Sequence, residues 1–119
     1  MGKYVIQTQR GVAPQGAYSQ GYRAGDFIFV TGTGPIDAKT GLLTGESIEE
    51  QTEQLISSME SVLAADNASL FDVIKVTVHL SAHRALRALQ PCIRPPSFPT
   101  LPGVYYGRKR LAPVARHVD

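Results

Sequence analysis

The sequence changes character near Ser81, and the change is set by proline. Six of the eight prolines follow that residue, at Pro91, Pro95, Pro96, Pro99, Pro102 and Pro113. Proline lacks a backbone N–H and fixes φ, so a cluster of this density excludes a central strand or a continued helix. We therefore expect residues 91–104 to be irregular and the regular structure to lie mainly in residues 1–80.

The charges divide at the same place. Residues 1–80 carry five Lys or Arg against nine Asp or Glu, whereas residues 81–119 carry seven basic residues against Asp119 alone. A chain of 119 residues is long enough for one compact core, so we expect a single domain over residues 1–119. No window approaches the ~20 apolar residues of a membrane span. We expect a soluble, cytoplasmic protein with no membrane partner.

Residues that often bind metals or form disulfides are few. Cys92 is the single cysteine, so the chain cannot form an internal disulfide. His79, His83 and His117 lack the i, i+4 or clustered spacing of a ligand set. We expect neither a metal nor a cofactor.

The first half of the sequence predicts a β-hairpin followed by a loop. Segments 19–23 and 26–31 flank a turn at Gly25, and the second segment is rich in β-branched and aromatic residues. The turn-rich connection 32–41 follows, in which we expect Lys39-Thr40-Gly41 to supply a positive-φ position. Loops of this kind often carry function.

A helix and a strand are predicted next. Ser47 and Glu50 have the spacing of a capping box, which marks a helix start. Apolar residues then recur at spacings of three and four up to about Ala65, and residues 74–80 alternate as in a half-buried strand. We expect one helix over 47–65, packed on a sheet that contains 26–32 and 74–80. The fold class is α+β.

Several stretches of residues 1–80 carry a resemblance in their order and spacing. They are Gly16-Ala17-Tyr18-Ser19-Gln20, Ala24 to Gly32, Pro35-Ile36-Asp37, Lys39-Thr40-Gly41, Glu49-Glu50-Gln51-Thr52, Val62-Leu63-Ala64-Ala65 and Asp72 to Val78. Each stretch is short, but the ordered set is specific. It resembles the YjgF/RidA family of small enamine/imine deaminases, so residues 1–80 are the family-like part and residues 81–119 a divergent tail.

The resemblance implies a fold, an assembly and an activity. The fold is chorismate-mutase-like, a mixed sheet backed by helices, here with an irregular Arg/Pro-rich C-terminal segment. The assembly is a homotrimer with active sites between subunits. The activity is hydrolysis of 2-aminoacrylate-type enamines and 2-imino acids to 2-keto acids and ammonia, as by a 2-iminobutanoate/2-iminopropanoate deaminase. This chemistry needs a cation for the substrate carboxylate, polar backbone groups and a positioned water.

The resemblance also implies two substrate-binding residues. Tyr18 would line the pocket, and Gly32 would present its backbone to the substrate. Each has a structural alternative, since Tyr18 could instead be a turn aromatic that caps the hairpin and Gly32 a turn glycine. Arg94, Arg108 and Arg110 stand in contexts that do not match the motif of the family's catalytic arginine. The catalytic residues therefore stay unknown.

A shifted reading frame would explain the tail. Read one base late, the codons of Gln90 to Pro95 permit Asn-Arg-Val-Tyr-Ala, and those of Tyr105 to Arg110 permit Thr-Thr-Val-Gly-Ser, with an arginine allowed at Pro102-Gly103. Both segments resemble the family's second helix and its arginine-bearing strand. The hypothesis is a one-base slip near Ser81, in the gene or in its sequencing.

Two other functional interpretations stay open. The run Arg108-Lys109-Arg110 beside Tyr105 and Tyr106 could bind RNA or another nucleic acid through phosphate contacts and base stacking, although such a run is more often a solvated one. The chain could also be a nonfunctional frame-shifted product. Loss of a core helix would then expose the apolar face of the 47–65 helix.

Overall fold

The computed structural model describes residues 2–80, 86–89, 91 and 104–108. Within them the regular elements are β1 (Lys3–Ile6), β2 (Gly21–Ala24), β3 (Phe27–Val30), α1 (Ile48–Ala64), a 3₁₀ turn (Leu70–Asp72), β4 (Val76–Leu80), α2 (Leu86–Leu89) and β5 (Val104–Arg108). Strands and helices occur in the same unit, which confirms the α+β class. A single domain over residues 1–119 stays a prediction.

The first three strands form an antiparallel sheet in the order β1-β2-β3. The predicted hairpin is confirmed as β2 and β3, with Ala24 paired to Phe27 across a two-residue turn. Gly25, the first turn residue, has φ 58°, a value that suits the tight turns joining adjacent antiparallel strands. β1 was not predicted. It pairs with β2 from Lys3 opposite Ala24 to Ile6 opposite Gly21.

The two faces of this sheet differ in exposure. Val5 lies opposite Tyr22, and Tyr22 lies opposite Phe29, so these side chains form one row across the three strands. All three are exposed, as is Phe27 two residues before Phe29. Successive strand residues point to opposite faces. The other face contains Ile6, which is buried, and it packs toward α1.

The predicted helix is confirmed as α1, Ile48–Ala64, with Ser47 as its N-cap. The Oγ of Ser47 accepts a hydrogen bond from the backbone N–H of Glu50 at 3.1 Å. The second half of the expected capping box does not form, because the Glu50 carboxylate accepts instead from the N–H of Glu46 at 2.9 Å. After α1 the chain turns through residues 65–67, and Asn67 there has φ 59°, a left-handed conformation that asparagine adopts more readily than most residues.

The second sheet pairs β4 with β5 in parallel, from Val76 opposite Val104 to Leu80 opposite Arg108. Residues 26–32 and 74–80 therefore lie in two hydrogen-bonded sheets among the described strands, not in one as expected. β4 alternates between half-buried and exposed residues as predicted. Antiparallel and parallel pairing both occur, as in a mixed α+β fold.

The core under β4 is centred on Leu89 of α2, which is 2% exposed. The half-buried residues packed against it are Ile48, Ile56, Met59, Leu70, Val73, Val76, Val78 and Leu80. Part of the apolar face of α1 is thus covered by α2. The segment expected to be irregular lies outside the described residues, apart from Pro91 and Val104, which starts β5. No described helix is both long and apolar enough to cross a membrane.

Candidate functional site

A small concavity of about 60 Å³ lies between two loops and one side of α1. Its lining residues are Val12, Ala13, Gln15, Tyr18, Gln20, Thr31, Gly32, Thr33, Gly34, Ile36, Ser58 and Val62. The first loop enters β2, and the second leaves β3. None of these described residues carries a charge, so they offer hydroxyl, amide and backbone groups beside apolar side chains. We call this concavity the pocket.

Tyr18 lines the pocket from the first loop and is half exposed. Its phenolic oxygen accepts a hydrogen bond from the backbone N–H of Gln15 at 3.1 Å. Its own N–H donates to the carbonyl of Gly16 at 2.9 Å. The loop therefore folds back on itself at the ring, and among the described residues the phenolic O–H has no acceptor.

Gly32 lines the pocket from the second loop and is exposed. A Cβ built on it would meet no atom of the described residues within 4 Å, so these residues leave open space there. Thr31 holds the start of this loop, because its N–H donates to the Gln20 carbonyl at 3.1 Å and its hydroxyl donates to the Ser19 carbonyl. The structure thus brings Tyr18 and Gly32 to one pocket.

Gln20 joins the two loops and was not predicted to belong to the site. It is one of the few buried polar residues, at 8% exposed. Its Oε1 accepts from the N–H of Thr8 at 2.7 Å, and its Nε2 donates to the carbonyls of Thr8 at 3.1 Å and Val12 at 2.7 Å. A glutamine before a strand gives no sequence signal for such contacts, since they depend on how the loop returns.

Two residues of α1, Ser58 and Val62, form the base of the pocket. Both are buried, at 5% each. The periodicity of α1 placed Val62 on its apolar face, but Ser58 is polar and was not singled out. Positions four apart lie on one face of a helix, so a buried serine at this spacing from a core valine is the signal that could have identified it.

A hydrogen-bonded cluster of Tyr4, Arg23 and Asp66 lies away from the pocket, at the end of α1. Tyr4 donates to Oδ1 of Asp66 at 2.7 Å, and the Nε of Arg23 donates to Oδ2 of the same carboxylate. These bonds from Tyr4 and Arg23 lower the pKa of the Asp66 carboxyl. The hydrogen bond to Asp66 raises the pKa of the Tyr4 phenol. This cluster ties β1 and β2 to the chain that follows α1.

No arginine is placed at the pocket by the residues that the structure describes. Arg94 and Arg110 lie outside the described residues. Arg108 is the last residue of β5. Within the described ranges, no three His, Cys, Asp or Glu side chains are grouped to hold a metal ion. The expectation of no metal and no cofactor stays a prediction.

Fold and pocket together define a small α+β protein with an uncharged pocket beside a three-stranded sheet. The family model described as Endoribonuclease L-PSP matches residues 8–93, and the chain therefore belongs to this family, the YjgF/RidA family. A RutC family protein of Pyrococcus abyssi is 46% identical over 80 residues, which are 67% of this chain and 63% of that protein. Reactive Intermediate Deaminase A, chloroplastic, of Arabidopsis thaliana is 35% identical over 79 residues, which are 66% of this chain and 42% of that protein.

Solved structures extend the likeness of fold further along the chain. A protein from Thermotoga maritima is 29% identical with a TM-score of 0.85, over 92% of this chain and 87% of that one. Yeast Mmf1 is 22% identical with a TM-score of 0.86, over 95% and 90% of the two chains. The sequence matches to the Pyrococcus and Arabidopsis proteins, by contrast, span less than two thirds of those proteins' own lengths.

Proposed function

We propose that this protein hydrolyses reactive 2-imino acids and their 2-aminoacrylate-type enamine tautomers to 2-keto acids and ammonia. Water adds to the C=N carbon, the resulting carbinolamine loses ammonia, and a C=O bond replaces the C=N bond. Family membership and the 35% identity to a protein named Reactive Intermediate Deaminase A support this reaction. We propose a cytoplasmic location for it, which cell fractionation tests.

The observation that carries the proposal is the meeting of Tyr18 and Gly32 at one pocket. A planar imino acid would lie between the phenol of Tyr18 and the open backbone at Gly32. The phenol can orient a water or the imine nitrogen through its O–H, and the backbone without a side chain permits close approach. Holding the C=N carbon and the water in position removes much of the entropic part of the barrier.

The uncharged lining supports placing the site between subunits. A substrate carboxylate needs a cation in a partly desolvated pocket, and none of the described lining residues supplies one. We propose that a second copy of this chain completes the site in a homotrimer. The exposed row of Val5, Tyr22 and Phe29, with Phe27 beside it, supports this assembly, because apolar side chains gathered on one sheet face favour association.

Two measurements on the purified protein test the proposal. The first is imine turnover, with 2-iminopropanoate generated in solution by an amino acid oxidase and pyruvate release followed over the uncatalysed rate. The second is the mass in solution by light scattering, with Phe29→Ser as the variant expected to dissociate the trimer. Release of pyruvate at the uncatalysed rate by a trimeric protein would refute the activity, and a monomeric wild-type protein would refute the assembly.

A second candidate is RNA binding, which the family description as an endoribonuclease supports. Tyr105 and Tyr106 lie in β5, and Arg108 ends it next to Lys109 and Arg110 in sequence. Binding through such a basic run weakens steeply with salt because bound counterions are released. Fluorescence anisotropy with a labelled single-stranded RNA at two salt concentrations separates the candidates, since imine hydrolysis requires no RNA.

A further inference from the structure

The first loop of the pocket has no helix or strand between β1 and β2, and its Tyr18 accepts a hydrogen bond from the N–H of Gln15 within the same loop. An irregular loop needs its backbone polar groups satisfied by other means. Three such groups, the N–H of Thr8 and the carbonyls of Thr8 and Val12, are bonded to the Gln20 carboxamide. Gln20 is therefore the side chain that fixes where this loop returns toward β2.

The bonds of Gln20 leave it no donor for a substrate. A glutamine amide has two N–H donors, and both are used, at 3.1 Å to Thr8 and 2.7 Å to Val12. The loop is shaped to this amide, because a Cβ built on Gly11 would lie 3.1 Å from Nε2. The Gln20 carbonyl in turn accepts from the N–H of Thr31, which starts the second loop. One residue thus contacts both loops of the pocket.

We propose that Gln20 is a positioning residue: its carboxamide holds residues 8–18 in the shape that places Tyr18 at the pocket opposite Gly32. The inference rests on the proposed function for its kinetic consequence. Its structural consequence, the position of Tyr18, stands without any substrate. Removing the carboxamide leaves three backbone groups without their partner, and the loop then samples other shapes in which the ring leaves the pocket.

The test compares Gln20→Leu with Thr52→Val. Leucine is similar in size to glutamine but forms none of the three bonds. Thr52 is also buried, at 2% exposed, and its hydroxyl donates to the Ile48 carbonyl at 2.6 Å within α1, so it is a matched control outside the pocket lining. We expect Gln20→Leu to raise KM for the imine about 10-fold, with a smaller change in kcat. Thr52→Val should leave KM unchanged.

Two further readouts separate positioning from a loss of stability. In amide NMR spectra, Gln20→Leu should move the signals of Gln15 and Tyr18 while leaving those of Ser57 and Ser61 in α1 in place. In the Tyr18→Ala background, Gln20→Leu should cause no further rise in KM, because the Tyr18 side chain that Gln20 positions is already absent. If Gln20→Leu does not fold, Gln20→Glu is measured instead, because it keeps an acceptor for the Thr8 N–H. The same changes in KM and in the NMR signals are then expected.

The outcomes that overturn the inference are distinct from those that overturn the proposed function. Wild-type protein without imine turnover refutes the function, and the NMR comparison alone then decides the role of Gln20. Unchanged Gln15 and Tyr18 signals in a folded Gln20 variant would show that the loop keeps its shape unaided. An equal rise in KM for Thr52→Val, or additive effects of Tyr18→Ala and Gln20→Leu, would also overturn it.

Discussion

Gly21 of β2 lies directly against Val62 of α1, and a Cβ built on Gly21 would be 2.8 Å from Cγ1 of Val62 and 3.2 Å from the backbone oxygen of Phe29. We expect Gly21→Ala to lower the free energy of unfolding by roughly 1–3 kcal/mol, as overpacking of a close contact does. Urea denaturation measures this. Gly2→Ala is the control, because a Cβ there meets no described atom within 4 Å. Equal stabilities for the two variants would show that helix and strand separate easily.

Gly32→Ala should leave the stability of the protein unchanged and lower its imine turnover. The added methyl group meets no atom within 4 Å in the part of the chain that the structure describes, so we expect the free energy of unfolding to stay within about 0.5 kcal/mol of wild type. The methyl group projects into space that the proposed substrate would occupy. Imine turnover should therefore fall, with KM rising more than kcat decreases. Normal turnover by a folded Gly32→Ala protein would remove Gly32 from the site.

Tyr18→Ala should lower imine turnover by about 10-fold to 100-fold through loss of orientation, while the mass in solution stays that of the wild-type assembly. Tyr18→Phe separates the two parts of the side chain, since it keeps the ring and loses the oxygen that accepts from Gln15. A phenylalanine variant as slow as the alanine variant would assign the effect to the hydroxyl. Unchanged turnover in both would leave Tyr18 as a turn residue only.

The Asp66 cluster predicts a pH dependence of stability. Hydrogen bonds from Tyr4 and Arg23 lower the pKa of Asp66 in the folded state, so the folded state favours the carboxylate. The stabilisation is present above the ordinary aspartate pKa of about 3.9 and is lost as the pH falls through the lowered pKa. Asp66→Asn should therefore flatten the acid side of the stability profile, measured as Tm between about pH 2 and pH 5. If the Tm profile of Asp66→Asn is identical to that of wild type, other carboxylates cause the loss of stability at low pH.

The tail gives the last prediction. We expect the chain as written to turn over imines about 10² to 10³ times more slowly than a version whose frame is restored after Ser81, because the described residues of one subunit place no cation at the pocket and the tail does not carry the family's arginine motif. Both proteins are assayed side by side, and the gene sequence over residues 90–94 is read directly. Comparable rates would show that the tail as written supplies the cation.

Sequence patterns predicted the elements whose signal is local. The alternation of β4, the periodicity of α1 and the turn at Gly25 each depend on neighbours within a few residues, and all three are found. β1 was missed because three of its four residues are exposed, so it shows no alternation. β5 was not predicted. The prolines before it exclude regular structure where they stand, but they give no information on whether the residues after Pro102 pair in a sheet.

The pocket was predictable only in part. Tyr18 and Gly32 came from the resemblance, and they do share a pocket. Gln20 and Ser58 could not be identified from local pattern, since a buried polar residue is recognised by the partners that the fold brings to it. The same reason explains the half-formed cap at Ser47, because the Glu50 carboxylate accepts from the backbone N–H of Glu46, a partner outside the pattern of a capping box.

The parallel pairing of β4 and β5 has a consequence for the order in which the chain folds. β2 and β3 are joined by a two-residue turn, whereas β4 and β5 are separated in sequence by residues 81–103. Closing the longer connection costs more chain entropy, so the hairpin and α1 can form before β5 arrives. During synthesis the backbone groups of β4 that pair with β5 have no partner in β5 until residue 108 has left the ribosome. That interval, more than the finished structure, is when a change in the tail would favour aggregation over folding.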